Sequence, residues 1–271
     1  IYLTTNAVND LLKGVVNNTG IIEAQTLDDV TGKIELYTHG GTANVGGTLD
    51  ASAPNGGNGG FIETSGQTVN LLDTLYVTTL AKVGATGTWL IDPTTYTIAA
   101  SGGNETGAAL ATRLASSNIE IQSNNTITVN DAVSWNANKL TLNSGGNIYI
   151  NADLFATGTA SLAFYYGQST AAGTSSLYNV TDGVNILIPN ASAFTWKKGA
   201  AGSLTNLVLD NGNLRFGNGT AASIDATGVL LQPWYFDNVT SGRNGWFKLT
   251  YSSYPLNFAL GVGGTSTDRK S

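Results

Sequence analysis

The stretch NIEIQSNNTITVNDAVSWNANKLTLNSGGNIYINADL (118–154) decides the fold. Ile119 and Ile121 are answered by Leu140 and Leu142, Ile127 and Val129 by Ile148 and Ile150, and Val133 by Leu154, each 21 residues further on. Within a doublet the apolar residues lie two apart, the alternation of an extended strand whose side chains point to opposite faces in turn. Asn, Gly, Ser and Asp fill the intervals and make turns. Three short strands per 21-residue repeat, none able to bury its apolar face alone, is the pattern of a parallel β-helix, in which each coil buries that face against the next. The expected fold class is all-β.

The recurrence extends in both directions. Leu162 and Phe164 follow Leu140 and Leu142 by 22 residues, and Ile186 and Ile188 come 24 later, across QSTAAGTSS (168–176), which reads as a loop bulging from one coil. Leu207 and Leu209 return at 21 from Ile186 and Ile188, and Leu214 with Phe216 opens another face. Toward the N-terminus, GIIEAQ (20–25), GKIELY (32–37), GTANVGGTLDAS (41–52) and GGFIETSGQTVNLL (59–72) have the same texture at less regular spacing. The β-helix is expected over 1–227, and roughly a dozen coils in the full chain would make a rod on the order of 50–60 Å long.

Two helices interrupt the pattern, at about 6–13 and 105–116. NAVNDLLKG (6–14) has Asn6 as N-cap, Val8, Leu11 and Leu12 on one face, and Gly14 as the stop. In NETGAALATRLASSN (104–118), Asn104 or Thr106 caps a stripe of Ala108, Leu110, Ala111, Leu114 and Ala115. That helix is expected to cover the place where the 1–100 and 119–230 sections meet.

Composition narrows the function classes. The 271 residues contain no Cys and no Met, and only 11% are charged, with a net charge of −6. Without Cys there is no disulfide framework and no thiolate metal site, a composition suited to a chain that crosses an envelope unfolded. Dispersed Lys and Arg on an acidic chain argue against nucleic acid as a partner. No apolar run approaches the roughly 18 residues of a transmembrane helix. The opening IYLTTNAVNDLL has no basic or apolar leader, so the chain reads as a piece of something longer.

GGNGGFIETSGQTVNL (56–71), GTWLIDPTTYTIA (87–99), TGAALATRLASSNIEI (106–121) and SWNANKLTLNSGGNIYINADL (134–154) resemble the middle sections of large bacterial exoproteins of the filamentous haemagglutinin type, exported by two-partner secretion. The resemblance covers most of residues 1–165. It implies a right-handed parallel β-helix fibre, secreted or held at the bacterial cell surface, that passes an outer-membrane transporter and serves adhesion, aggregation or matrix formation. The family's N-terminal secretion module, with its Asn-Pro motifs, has no counterpart in this sequence.

Residues 228–264 leave the repeat. They hold Trp234, Tyr235, Phe236, Trp246, Phe247, Tyr251, Tyr254 and Phe258. A terminal coil exposes unpaired strand edges, so this section is expected to be a β-rich cap, or alternatively a docking element that joins subunits end to end through Trp234, Tyr235, Phe236, Trp246, Tyr251 and Tyr254. Residues 265–271 read as a tail.

No catalytic set can be nominated. Parallel β-helices house polysaccharide lyases and hydrolases, but those need clustered carboxylates with an Arg or Lys base, or a pair of acids at suitable separation, on one face. Here Asp28 and Asp29 are adjacent, Asp92 fits an Asp-Pro turn, Asp131, Asp182 and Asp210 lie beside Asn or Gly, and Glu63 reads as a solvent-facing strand residue. His39 is the single histidine, GGNGG (56–60) lacks the Lys of a phosphate loop, and no Gly-Gly-x-Gly-x-Asp series occurs, so neither a cofactor nor a metal is expected. Trp89 and Trp135 look like core. Tyr165 and Tyr166 before the 168–176 loop, with Trp196, Lys197 and Lys198, form the one candidate binding group, where rings would stack on glycans of a host or matrix and Lys would donate hydrogen bonds. The reading is a non-enzymatic adhesive or structural fibre segment; a self-assembling filament subunit and a polysaccharide lyase or hydrolase are the alternatives.

Overall fold

The computed structural model describes residues 1–6, 14–28, 30–167, 177–181, 184–189, 193–198, 206–209 and 213–216. The 168–176 loop, the 228–264 section with its aromatic residues, and the 265–271 tail lie outside these, as do residues 7–13 of the expected first helix. Asn6, expected as its N-cap, is instead the last residue of a strand.

The chain runs in circuits of three elements. The first is β1 (Tyr2–Asn6), β2 (Val15–Asn18) and β3 (Ile21–Glu23); the second β4 (Lys33–His39), β5 (Thr42–Val45) and β6 (Thr48–Asp50). The third is β7 (Phe61–Ser65), β8 (Thr68–Leu71) and β9 (Tyr76–Thr78), and the fourth β10 (Thr88–Asp92), β11 (Tyr96–Ile98) and helix α1 (Gly107–Leu114). Then come β12 (Asn118–Ser123), β13 (Ile127–Val129) and β14 (Val133–Trp135), followed by β15 (Lys139–Ser144), β16 (Ile148–Ile150) and β17 (Leu154–Ala156). The last two are β18 (Ser161–Tyr166), β19 (Leu177–Val180) and β20 (Asn185–Ile188), and β21 (Phe194–Lys198), β22 (Asn206–Leu209) and β23 (Asn213–Phe216). A helix therefore takes the place of one strand in an otherwise regular series.

The first strands of all circuits form one eight-stranded sheet, β1-β4-β7-β10-β12-β15-β18-β21. The second strands form two sheets, β2-β5-β8 and β11-β13-β16-β19-β22; the third strands form β3-β6-β9 and β14-β17-β20-β23. Every pairing between these strands is parallel. The described residues are thus strand-rich, with parallel sheets and one short helix among them.

Alternation places the core. Ile34, Ile62, Trp89, Ile119, Leu140, Leu162 and Phe194 stand in register across the long sheet. All but Phe194 are buried. Each such side chain removed from water stabilises the fold by roughly 1.5–3 kcal/mol. Trp89 fits among smaller neighbours because Thr64 stands beside it, and the indole Nε1 donates to the Thr64 hydroxyl at 3.2 Å. Trp135 is buried as expected.

The 21-residue register of 119–154 is observed as read, Ile119 pairing with Leu140 and Val133 with Leu154. The register expected beyond the 168–176 loop is corrected. Ile186 pairs with Leu154, not with Leu162, whose partner is Phe194. Leu207 pairs with Tyr178, and Leu214 with Ile186. Apolar doublets occur on all three strands of a circuit, so once a loop breaks the period the pattern no longer says which sheet a doublet joins.

Helix α1 begins at Thr106, whose hydroxyl accepts from Ala109 N at 3.1 Å. Leu110, Leu114 and Arg113 are buried while Ala108 and Ala115 are exposed, so the inward stripe is narrower than expected. The helix lies at the joint between the two sections. On one side, the Ser116 carbonyl accepts from Thr79 N at 3.0 Å and the Ser116 hydroxyl donates to Val77 O at 2.6 Å, closing the end of β9. On the other, Gly107 N donates to the Asp131 carboxylate at 2.8 Å and Asn138 Nδ2 to Leu114 O at 2.7 Å, beside β14. A polar cluster anchors it: Tyr96 donates to one carboxylate oxygen of Glu105 and Arg113 to the other, and Arg113 also reaches Leu72 O at 3.3 Å.

Candidate functional site

The outer face of the eight-stranded sheet follows from the same alternation. One column across it runs Tyr37, Ser65, Asp92, Gln122, Asn143 and Tyr165, one residue per strand from β4 to β18. Asp92 and Gln122 are joined by their side chains, Nε2 to Oδ2 at 3.2 Å. A second column runs Glu35, Glu63, Leu90, Glu120 and Thr141. Three of its members come from one recurring sequence feature, the dipeptide Ile-Glu at 34–35, 62–63 and 119–120, in which Ile turns inward and Glu outward.

Carboxylates scattered in sequence therefore gather on one face, a grouping that no spacing along the chain nominates. Asp92 lies diagonally between Glu63 and Glu120. It is the last residue of β10 rather than part of a turn. Its pKa is raised to about 6, first by burial, then by the charge of Glu63 and less by Glu120, against a lowering hydrogen bond from Gln122. One of its oxygens, Oδ1, is buried without a partner. The neighbouring acids are better satisfied: Ser65 Oγ donates to Glu63 at 2.6 Å, Asn143 Nδ2 to Glu120 at 2.7 Å, and Lys33 pairs with Glu35 at 2.8 Å. The Glu35 hydrogen bond, followed by smaller effects of its own and the Glu63 charge, raises the Lys33 pKa despite slight desolvation.

Aromatic rings stand at both ends of the strip. Tyr37 packs edge-to-face on His39, with centroids 4.5 Å apart; His39 is exposed at the end of β4. At the other end, Lys139 Nζ lies 6.0 Å from the Tyr165 ring centre. The sequence-nominated group meets here by backbone register: Tyr165 is the partner of Lys197, Tyr166 of Lys198, and Phe164 of Trp196. The signal missed was the column itself, which needs the register of six strands to be seen.

The other strongly perturbed group is buried and cannot meet a ligand. Burial raises the pKa of Glu105 against the pull of Arg113, and burial with the adjacent Glu105 charge raises that of Tyr96. These groups hold α1 in place. Among the described residues no set of three or more His, Cys, Asp or Glu side chains is disposed to hold a metal ion, and no helix is long and apolar enough to cross a membrane. Comparison with models of known protein families, with curated proteins and with solved structures returns no match.

Proposed function

We propose that this chain is a right-handed parallel β-helix segment of a secreted or cell-surface bacterial fibre, of the filamentous haemagglutinin kind, acting in adhesion, aggregation or matrix formation without catalysis. The observation that carries the reading is the return of the chain to the same parallel sheet in every circuit, eight times for the first strand. Such stacking directs backbone hydrogen bonds along one axis and makes a stiff rod whose side faces repeat weak contacts. Right-handedness is the hand that parallel crossover connections adopt almost without exception. Side-chain ladders support the same reading. Asn44 donates to Asn17 at 2.6 Å and Asn70 to Asn44 at 2.8 Å, while Asn151 donates to Asn130 at 2.9 Å. Export through an outer-membrane transporter, glycan contacts and self-association belong to this reading.

Electron microscopy of the purified chain across a concentration series tests it. Dispersed rods are expected, compact particles would overturn it, and rods that grow end to end would replace the adhesive segment with a self-assembling filament subunit. One observation favours a second reading: the Glu63, Asp92 and Glu120 group is what a polysaccharide hydrolase or lyase on this fold would use. Release of reducing ends or unsaturated products from a polysaccharide panel would establish it in place of the first.

A further inference from the structure

We propose that the strip from Tyr37 to Tyr165 on the outer face of the eight-stranded sheet binds an extended, unbranched polysaccharide carrying free amino groups, one sugar ring per strand. The inference rests on the adhesive reading above and specifies its ligand.

Three features carry it. The first is spacing. Strands β4, β7, β10, β12, β15 and β18 each contribute one residue to the column Tyr37, Ser65, Asp92, Gln122, Asn143, Tyr165, of which Ser65 is buried among its neighbours and the other five are partly exposed. Neighbouring strands lie about 4.8 Å apart, so the strip spans roughly 24 Å. A hexopyranose in an extended chain advances by about one such step. An extended peptide presents same-face side chains roughly 6.7 Å apart and falls out of step with the column.

The second feature is chemistry along the strip. Gln122 and Asn143, with Glu63 and Glu120 alongside, offer amide and carboxylate groups suited to hydroxyls, while the Asp92 carboxylate between them has Oδ1 buried and Oδ2 accepting from Gln122. Ammonium groups stand at the two ends: Lys33 is held by Glu35 at 2.8 Å, Lys139 lies 6.0 Å from the Tyr165 ring centre, and Lys197 is the register partner of Tyr165 on β21. The centre of the strip is negative, which favours a polymer bearing ammonium groups over an acidic glycan.

The third feature is the pair of rings at the ends. Tyr37 is braced by His39, and Tyr165 sits beside Lys139. Rings so placed suit stacking on the apolar faces of terminal sugars, with amides and acids ordering the rings between them.

The test uses the whole chain and four probes: a β-1,4-linked glucosamine hexamer, the same hexamer fully N-acetylated, a galacturonate hexamer and polylysine, each titrated by calorimetry at low salt. The glucosamine hexamer is expected to bind best, and Tyr37→Ala or Tyr165→Ala to weaken it roughly three- to tenfold. Tyr37→Phe and Tyr165→Phe keep the ring and should retain binding. The double variant Glu63→Gln/Glu120→Gln should abolish the preference for glucosamine over its N-acetylated form. No binding to the glucosamine hexamer, equal binding by the alanine variants, or equally strong binding of polylysine would overturn the proposal; the last would leave only a charged patch. A chain that images as rods but binds no oligomer sinks the strip and spares the fibre reading. Compact particles sink the fibre reading whatever they bind.

Discussion

The circuits before α1 and those after it solve the same stacking problem with different corners. Before it, corresponding residues of the long sheet lie 28 apart from Ile34 to Ile62 and 27 from Ile62 to Trp89; after it, 21 from Ile119 to Leu140 and 22 from Leu140 to Leu162. The corner entering that sheet is Gly32, Gly60 and Gly87 in the first set, but Ser117, Asn138 and Ala160 in the second. A Cβ at Gly60 would stand 2.2 Å from Gly32 O, and one at Gly87 1.9 Å from Gly60 O, so the earlier corners stack backbone directly on backbone. Later corners leave room for side chains, and Asn138, at φ 64°, uses its amide to hold Leu114 O. The long sheet passes through both sets unbroken because the extra residues are absorbed elsewhere. The two other faces change sheet at β8 to β11 and at β9 to β14, and α1 with the Tyr96, Glu105 and Arg113 cluster closes that mismatch.

The largest way to break this comparison is to cut the joint. Glu105→Ala leaves Arg113 buried and unpaired and is expected to cost about 3–5 kcal/mol. Differential scanning calorimetry should then show the two sets of circuits melting separately. A single transition at the wild-type temperature would mean that the joint does not couple them.

Next in size is the corner contrast. Gly87→Ala should destabilise by about 1–3 kcal/mol, since backbone must move to admit the methyl group. Ala160→Gly, at the equivalent place in a later circuit, should cost only about 0.5–1 kcal/mol through added unfolded-state freedom. Equal losses in urea melts would dissolve the distinction between the corners.

A third prediction concerns Asp92, which sits at the end of β10, the last strand of the long sheet before α1. Its folded pKa of about 6 lies above the usual 3.8, so its contribution is complete below pH 4 and is lost as pH rises through 6. Stability should therefore be greater at pH 4 than at pH 7 by about 1–2 kcal/mol from this group, allowing for its partial exposure and the screening that brings. Asp92→Asn should flatten that slope and raise the melting temperature at pH 7. A slope unchanged in the variant would assign the effect to other acids.

The smallest effects belong to the ladders, which the two sets share. Asn44→Ala before the joint and Asn151→Ala after it should each cost about 0.5–1 kcal/mol, because the amides are exposed. A large loss in one only would show that the sets depend unequally on their side-chain ladders.

Much of the fold was legible. The doublets of 119–154 stated their partners because each inward residue of one strand needs an inward residue on the strand paired with it, and α1 announced itself through Thr106 and the spacing of Leu110 and Leu114. The partners of Ile186 and Leu207 were not legible, since a loop of arbitrary length resets the count. Nor was the polar strip. Glu63, Asp92 and Glu120 are 29 and 28 residues apart along the chain, and no local signal says that three different strands will bring them to one face.

The amino-acid order alone determined the strand period, the identity of the inward residues and the site of the helical interruption, because alternation and capping act over a few neighbouring residues. Tertiary structure decided which doublets pair, where the sheets break, and that Tyr37 and Tyr165 end a single row of acids and amides. Those are matters of register between strands, and register is set only when the corners have closed and the strands have paired.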